Sequence, residues 1–490
     1  MQWTMEQLAR AMGVATPAGL RPLARVAGVS IDSRTVRPGD LFFAVHGPRH
    51  DGHNFVAQAL QSGSPAAVVA RSRASAYSAE IRARLFVVDD TLAALQQLAY
   101  AVLHTWRKAR PGRRVGAVAG SVGKTTTKEI LAELLAARFR VLRSQGNLNN
   151  DYGLPLTLLQ LEDEHEALVV ELGMSRTGEL ARLTKICEPD VGLITRIAIE
   201  HLEFFASLEE IALAERELIA NLPGAASTAV LNAGDEYASR FVHVAPGKVI
   251  WFGDGPSSSF RAANIQDRGI EGTRFEFVGP HGREQLDLAL IGRHNVANAI
   301  AALAAASVWG VGAAEAKSVF PAMQPPDKRG EVVRFEEGFT IINDSYNSSP
   351  AALAALSEML ASTHGYKRRI LAAGEMLELG ATSPNLHRDA GRHAASIGGI
   401  DLILGVRGDA AEIVRGALDA GYPESRTRFF AGSEEAGNFL AATLMAGDLL
   451  LLKGSRGVRM EKILDAVRLQ HAEAKAKSPE SAGACRPGRN

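Results

Sequence analysis

Cysteine is scarce in this sequence: Cys187 and Cys485 are the only two in 490 residues. Two thiols so far apart cannot supply a disulfide framework, which excludes the small stapled secreted folds and fits a reducing compartment. A charge of one sign is missing too. Lys plus Arg and Asp plus Glu number 54 each, so no overall basic field invites nucleic acid. No apolar run is long enough to span a bilayer, and the opening "MQWTMEQLARAMG" reads as a short amphipathic helix, not a signal peptide. Membrane insertion is therefore not expected, and the cytoplasm is the expected location. The Ala-rich stretch "AIAALAAASVWGVGAA" follows polar "GRHNVAN" and reads as a packed helix.

What is present is ordinary globular material, 46% hydrophobic and 22% charged, in a chain too long for a single core. The stretch "VSIDSRTVRPGDLFFAV" alternates like strands joined by a Pro-Gly turn. Basic "RKARPGRR", 107–114, precedes a new apolar strand and marks a first boundary. From "RVGAVAG" onward, Val/Ile/Leu-rich runs such as "EALVVELG", "DVGLITRI" and "STAVLNAGD" alternate with helical patterns, the rhythm of a parallel sheet with crossover helices. "TRFEFVGPHGREQLDLAL" instead reads as an antiparallel hairpin at the edge. Two prolines in "MQPPDKRGE" end the long Ala-rich helix and mark a second boundary, after which "FTIINDSY", "RRILAAGEM", "DLILGV" and "GDLLLLKGS" repeat the strand-helix rhythm. The fold class is α/β, in three domains: 1–108, a central parallel-sheet P-loop domain 109–328, and a Rossmann-like domain 329–471. The Ala/Lys/Ser/Pro-rich segment 472–490 is expected to be a disordered tail.

Chemistry enters at "AGSVGKTTTKEIL", 119–131. A strict Walker A motif would place its first glycine at Val118; Gly120 makes a shortened form. The physical logic survives the change. Gly120 and Gly123 let backbone amides, with Ser121 and Val122 between them, approach phosphate oxygens, and the helix starting near Lys124 turns its positive end to them. Lys124 adds a point charge, and Thr125, followed by Thr126, offers a hydroxyl to a magnesium ion. Glu171 ends the strand "EALVVELG", where parallel strands open onto ligand crevices. It suits a magnesium ligand facing Thr125 and equally a capping or ion-paired glutamate. His201 in "IEHLEFF" follows "DVGLITRI" and is open in the same way between a structural group and a metal ligand.

Several separated segments, in order from about residue 29 to about 465, resemble the Mur ligases of bacterial cell-wall synthesis. "DSRTVRPGDLFFAVHGPRHDGHNF" (32–55) looks like their uridine-sugar-binding domain, and "GSVGKTTTKE" resembles their ATP loop. "GNLNNDYGLPLTLL", "VVELGMSRTGEL", "NDSYNSSPAAL" and "EMLELG" favour the member that adds D-alanyl-D-alanine over its neighbour that adds the third amino acid, whose DNPR-type segment is lacking here. The resemblance implies ATP and Mg2+ as cofactors and UDP-N-acetylmuramoyl-tripeptide and D-alanyl-D-alanine as substrates, acting through an acyl phosphate in a monomer. It assigns Lys124, His201 and Glu171 to catalysis, and Thr125, Glu171 and His201 to metal. Gly120 to Thr126, Asn295, Asn298 (with His294 beside them), Arg329 and Asp344 fall to ATP. Ser33 and Arg34 go to the uridine end; Asn149, Asn150, Tyr346, Asn347, Lys453, Ser455 and Arg456 go to substrate.

One departure stands out. Family members carry a lysine about fourteen residues after the motif histidine, carbamylated to present a carboxylate to the second magnesium. Here that position is Glu215 in "LAERELIANL". Either Glu215 replaces the modified lysine as a metal ligand, or it is one of several acids on a solvated helix face with Glu209, Glu210 and Glu217. Other implied readings are a different Mur-type ligase (tripeptide-forming or folylpolyglutamate-like) and a catalytically silent scaffold.

Overall fold

The structure, a computed structural model, describes residues 3–47, 50–199 and 202–474. It divides into two compact units, Met1–Asp267 with Gly272–Met323, and Arg268–Glu271 with Gln324 onward.

The first unit opens with a helix, Met5–Ala11, started by a capping box in which Thr4 and Gln7 exchange side-chain and backbone bonds. Strands β1 (Gly28–Ser30), β2 (Asp40–Phe43), β3 (Ala67–Ala70) and β4 (Leu85–Val88) then form a sheet in that order. All its pairings are parallel, with Gly28 opposite Asp40. The Pro-Gly turn therefore does not close a hairpin; the chain between β1 and β2 returns to the same end of the sheet.

The second sheet contains β5 (Arg114–Ala119), β6 (Val141–Arg143), β7 (Ala167–Glu171), β8 (Val191–Ile194), β9 (Thr228–Asn232) and β10 (Lys248–Phe252), ordered β10-β9-β8-β5-β7-β6 and wholly parallel. Alternate residues of its strands face two cores, as the two-residue period of a strand requires. Val118, Val169, Leu193 and Val230 meet the helices Lys124–Ala136 and Arg293–Ser307, together with Phe275, Phe277 and Leu286 of an antiparallel sheet. That sheet holds β11 (Arg261–Asp267), β12 (Thr273–Gly279) and β13 (Gly282–Leu288). The expected hairpin is β12–β13, with β11 added outside it.

On the opposite face, Ala117, Val170 and Leu231 pack with the helices Glu179–Cys187 and Leu208–Ala220. The helix Thr91–Ala109 joins both sheets. Its Ala94, Leu95 and Leu98 lie in the core of the first sheet, and Val102, Leu103 and Trp106 in the core of the second. Trp106 is wholly buried, and truncating such a side chain costs about 3–5 kcal/mol.

The basic stretch begins inside this helix, and two of its arginines are tied down although 108–112 are exposed. Arg107 pairs with Asp190 at 3.0 Å, and buried Arg113 lies 4.9 Å from the Trp106 ring while donating to the Asp163 carbonyl at 2.6 Å. The Ala-rich helix also differs from expectation. It stops at Ser307, where Gly310 takes φ +76°, and a second helix, Ala313–Val319, follows well before the prolines.

The second unit is built on β14 (Glu331–Arg334), β15 (Thr340–Asp344), β16 (Arg368–Gly374), β17 (Leu402–Val406), β18 (Thr427–Phe430) and β19 (Asp448–Lys453). Their order is β14-β15-β19-β16-β17-β18, parallel except for antiparallel β14 at the edge. Residues 475–490 of the expected tail lie outside the described residues, whereas Ala472 and Ala474 bond the backbone of Glu336 and Arg334. Among the described residues no helix is long and apolar enough to cross a membrane.

Candidate active site

The phosphate loop lies where β5 runs into the helix Lys124–Ala136. Gly120 takes φ +118° and Gly123 φ +90°, values that L side chains rarely adopt. Space forbids side chains as well: a Cβ on Gly120 would fall 2.3 Å from Thr195 Oγ1, and one on Gly123 would fall 2.4 Å from Asn298 Oδ1. Thr195 holds the loop by donating its hydroxyl to the Val122 carbonyl at 2.7 Å, and the Ser121 amide donates to the Arg196 carbonyl at 2.7 Å.

No side chain caps the helix, and its first turn contains no acid. Its leading amides thus keep their capacity for an anion, reinforced by the helix dipole. Lys124 Nζ donates back to the Ser121 carbonyl at 3.1 Å, which folds the charge over the loop. Thr125 is buried, as is Ser121, whose hydroxyl has no hydrogen-bond partner among the described residues.

Glu171 closes β7 one strand over, in register with Val118 of β5. It is 3% exposed. Asn149 donates to its Oε1 at 2.8 Å, its own amide donates to Ser144 Oγ at 3.0 Å, and Oε2 is buried without a hydrogen-bond partner among the described residues. A buried carboxylate oxygen left unbonded is costly unless a cation completes it. Magnesium takes oxygen ligands of this kind, so Thr125 and Glu171 fit the ion the sequence implies. Asn149 thus orients the carboxylate. Asn150 Oδ1 accepts the Tyr152 and Gly153 amides at 3.2 and 3.0 Å, in the turn that leads into the helix Gly153–Leu158.

Glu215 is buried, unlike exposed Glu209 and Glu210, so it does not belong to a solvated face. Its Oε2 accepts the Gly120 amide at 2.8 Å. Two residues on, Glu217 accepts the Gly178 and Ala181 amides at 2.7 and 3.1 Å. The helix Leu208–Ala220 therefore ties down both the phosphate loop and the turn after β7. His201 lies outside the described residues.

Asn295 and Asn298 stand in the first turns of the helix Arg293–Ser307. Asn298 Nδ2 donates to Asn295 Oδ1 at 2.9 Å, and Asn295 donates to the Ile291 carbonyl at 2.8 Å. This relay sets Asn298 against Gly123. At the end of the first sheet, buried Ser33 bonds Gln58 at 3.3 Å. Exposed Arg34 forks onto Asp32 through Nε and Nη2, and that guanidinium holds the Asp32 carboxyl below its usual range.

In the second unit, buried Lys453 donates to Asp344 Oδ1 at 2.6 Å and to the Asn347 carbonyl, bringing three expected residues together at the ends of β15 and β19. Arg329 lies 4.1 Å and Arg456 6.0 Å from the Tyr346 ring, two cations facing one aromatic. Ser455 accepts the Leu377 amide at 2.9 Å, which binds the "KGSRG" turn to the "EMLELG" turn.

Sequence reasoning missed Thr195, Ser144 and Lys128. Each acts through a backbone carbonyl or amide of a remote strand end, which no spacing in the sequence encodes. The thiol of Cys187 is wholly buried, and desolvation pushes it up to about 12, which keeps it protonated at neutral pH.

Residues 118–306 match the Mur ligase middle domain, 328–456 the Mur ligase glutamate ligase domain, and 25–102 the Mur ligase family catalytic domain. The UDP-N-acetylmuramoyl-tripeptide--D-alanyl-D-alanine ligase of Bacillus subtilis (strain 168) is 34% identical over 437 residues, 89% of this chain and 92% of that protein. MurF from Acinetobacter baumannii superposes with a TM-score of 0.83 at 30% identity, covering 95% of this chain and 99% of that one. MurF ligase from Thermotoga maritima, crystallised in complex with ADP, gives a TM-score of 0.76 at 28% identity over 90% and 97% of the two chains.

Proposed function

The chain belongs to the Mur ligase family, and from that membership we propose the residues through which it works. It is an ATP-dependent ligase that joins D-alanyl-D-alanine to UDP-N-acetylmuramoyl-tripeptide in peptidoglycan synthesis. The observation that supports the assignment of roles is the uncapped helix beside a strand-end carboxylate with one orphaned oxygen.

A carboxylate resists attack by an amine because oxide is a poor leaving group. Phosphorylation by ATP makes an acyl phosphate, and phosphate departs readily when the amine of D-alanyl-D-alanine attacks. In this reading the loop Gly120 to Thr126, through its amides from Val122 onward, and the Lys124 ammonium bind the triphosphate and offset charge spreading over its γ-phosphoryl oxygens, while Glu215 and the Arg196 carbonyl hold the Gly120 and Ser121 amides. Thr125 and Glu171 hold Mg2+, whose chemistry is to neutralise phosphate charge as a Lewis acid. Glu215 and His201 complete the metal set, with Glu215 supplying directly the carboxylate that relatives obtain by carbamylation.

Asn295 and Asn298 face the adenine end. Arg329 and Asp344 bind ATP, while Tyr346, Asn347, Lys453, Ser455 and Arg456 shape the site of the incoming dipeptide. Ser33 and Arg34 take the uridine end and Asn150 the peptide, while Asn149, which the resemblance gives to substrate, instead orients Glu171. Lys453 acts by fixing Asp344 and Asn347, since its ammonium is already bonded to both. We assign 1–108 to the sugar nucleotide, 109–328 to ATP and 329–471 to the amine, and place the reaction in the cytoplasm.

The test is a phosphate-release assay with each substrate omitted in turn. Release that requires both UDP-N-acetylmuramoyl-tripeptide and D-alanyl-D-alanine, and that disappears in Lys124→Ala, is expected. Lys124→Ala that retains peptide-bond synthesis rejects the phosphate-loop assignment.

A further inference from the structure

Lys128 is the one wholly buried lysine of the described residues, at 0% exposure, and none of the steps above uses it. An ammonium withdrawn from water is unfavourable unless its donors are placed with care. Here they are. Nζ donates to the Ser144 carbonyl at 2.6 Å and pairs with Glu129, which in turn meets Arg143 at 3.1 Å.

Ser144 follows the last residue of β6 and is itself buried. Its amide bonds the Val169 carbonyl of β7 at 3.0 Å, and its hydroxyl accepts the Glu171 amide at 3.0 Å. Lys128 stands three residues beyond Thr125 on one helix, one turn along the same face. A continuous path thus runs from the helix bearing Thr125, through the Lys128 ammonium and Ser144, to the backbone of Glu171.

We propose that Lys128 is a positioning residue that fixes the carboxylate of Glu171 relative to the hydroxyl of Thr125, acting through Ser144. The proposal rests on the reading of those two groups as magnesium ligands. Two ligands on different elements hold a small, geometrically demanding ion only if their separation is set, and β6, a three-residue edge strand, would not set it unaided. An apolar side chain at 128 would fill the space and leave the Ser144 carbonyl unheld.

The experiment measures Mn2+ binding to the full chain with ADP by electron paramagnetic resonance, in wild type, Lys128→Met, Ser144→Ala, Glu171→Gln and the Lys128→Met/Glu171→Gln double variant. Lys128→Met is expected to weaken Mn2+ binding about tenfold, the usual scale for loss of an outer support of a metal ligand. Metal-free ADP affinity and melting temperature should hold. Ser144→Ala should weaken Mn2+ binding severalfold and carries the test should Lys128→Met fail to fold. In the double variant the lysine change should add nothing to the glutamine change. Wild-type Mn2+ affinity in a folded Lys128→Met or in Ser144→Ala overturns the proposal, as does a penalty that persists undiminished in the double variant. Wild-type affinity in Glu171→Gln rejects the ligand reading itself, and the proposal falls with it.

Discussion

The Glu215 carboxylate accepts the amide of Gly120 at 2.8 Å, so an acid on a distant helix holds the first glycine of the phosphate loop. A lysine carbamate would need carbon dioxide to make such a group; glutamate carries it permanently. Ligase activity is therefore expected to be the same in carbon-dioxide-free buffer and in buffer with added bicarbonate. Glu215→Gln keeps an acceptor for Gly120 but loses the charge. It should lower kcat/KM about ten- to a hundredfold and raise the Mg2+ requirement, the scale of a charged hydrogen bond. Stimulation of the wild type by bicarbonate, or an unaltered Glu215→Gln enzyme, contradicts this role.

Gly123→Ala introduces two penalties at one position. The residue sits at φ +90°, a strain of about 1–3 kcal/mol for a side chain, and its new Cβ would press on Asn298 Oδ1. ADP affinity, read by calorimetry, should fall by more than about tenfold, with a lower melting temperature. Pairing it with Asn298→Ala relieves the contact and should recover part of the affinity but not the strain. Equal losses in the single and double variants would show that Asn298 does not press on the loop.

Legibility in the sequence followed the range of the interactions. The loop, its helix and the parallel sheet were readable because glycine spacing and strand-helix periodicity are local. Glu215, open in the sequence between a metal ligand and a solvated acid, carries a periodic signal against the second. It falls between Ile211 and Ile219 on the buried stripe of its helix, and not among the exposed acids Glu209 and Glu210. Parallel pairing of β1 with β2 was not readable, since alternation fixes which face a residue takes and not the direction of its partner. The double duty of Thr91–Ala109 was hidden for a related reason: one apolar stripe does not reveal that it serves two cores. The Asn149–Glu171 and Lys128–Ser144 bonds join segments that meet only after the sheet forms.

His471 gives the second unit a pH-dependent contact. Its ring nitrogens lie 2.8 Å from the Ala441 carbonyl and 3.1 Å from Glu337, and the backbone bond, then the carboxylate, raise its pKa above the ordinary 6.5. A group raised by folding contributes stability that is full below its unfolded pKa and is lost as pH rises through the folded one. Thermal melts from pH 6 to pH 9 should therefore show a decline in His471→Gln smaller than in wild type, with the two curves converging at the alkaline end. Parallel curves across that range would remove His471 from the account.

Asn149 supplies a last test, because its side chain holds the Glu171 carboxylate directly. Its amide holds Oε1 at 2.8 Å and leaves Oε2 for the ion. Asn149→Ala frees the carboxylate to turn, so the Mg2+ concentration for half-maximal activity should rise about tenfold while kcat at saturating Mg2+ stays near wild type. Asn149→Asp instead sets a second carboxylate against the first. Like charges at that distance favour protonation of one, so activity should fall on the acid side at a higher pH than in wild type, and saturating Mg2+ should reverse much of the shift. If Asn149→Ala lowered kcat and left the Mg2+ dependence unchanged, Asn149 would be contacting substrate and not orienting Glu171.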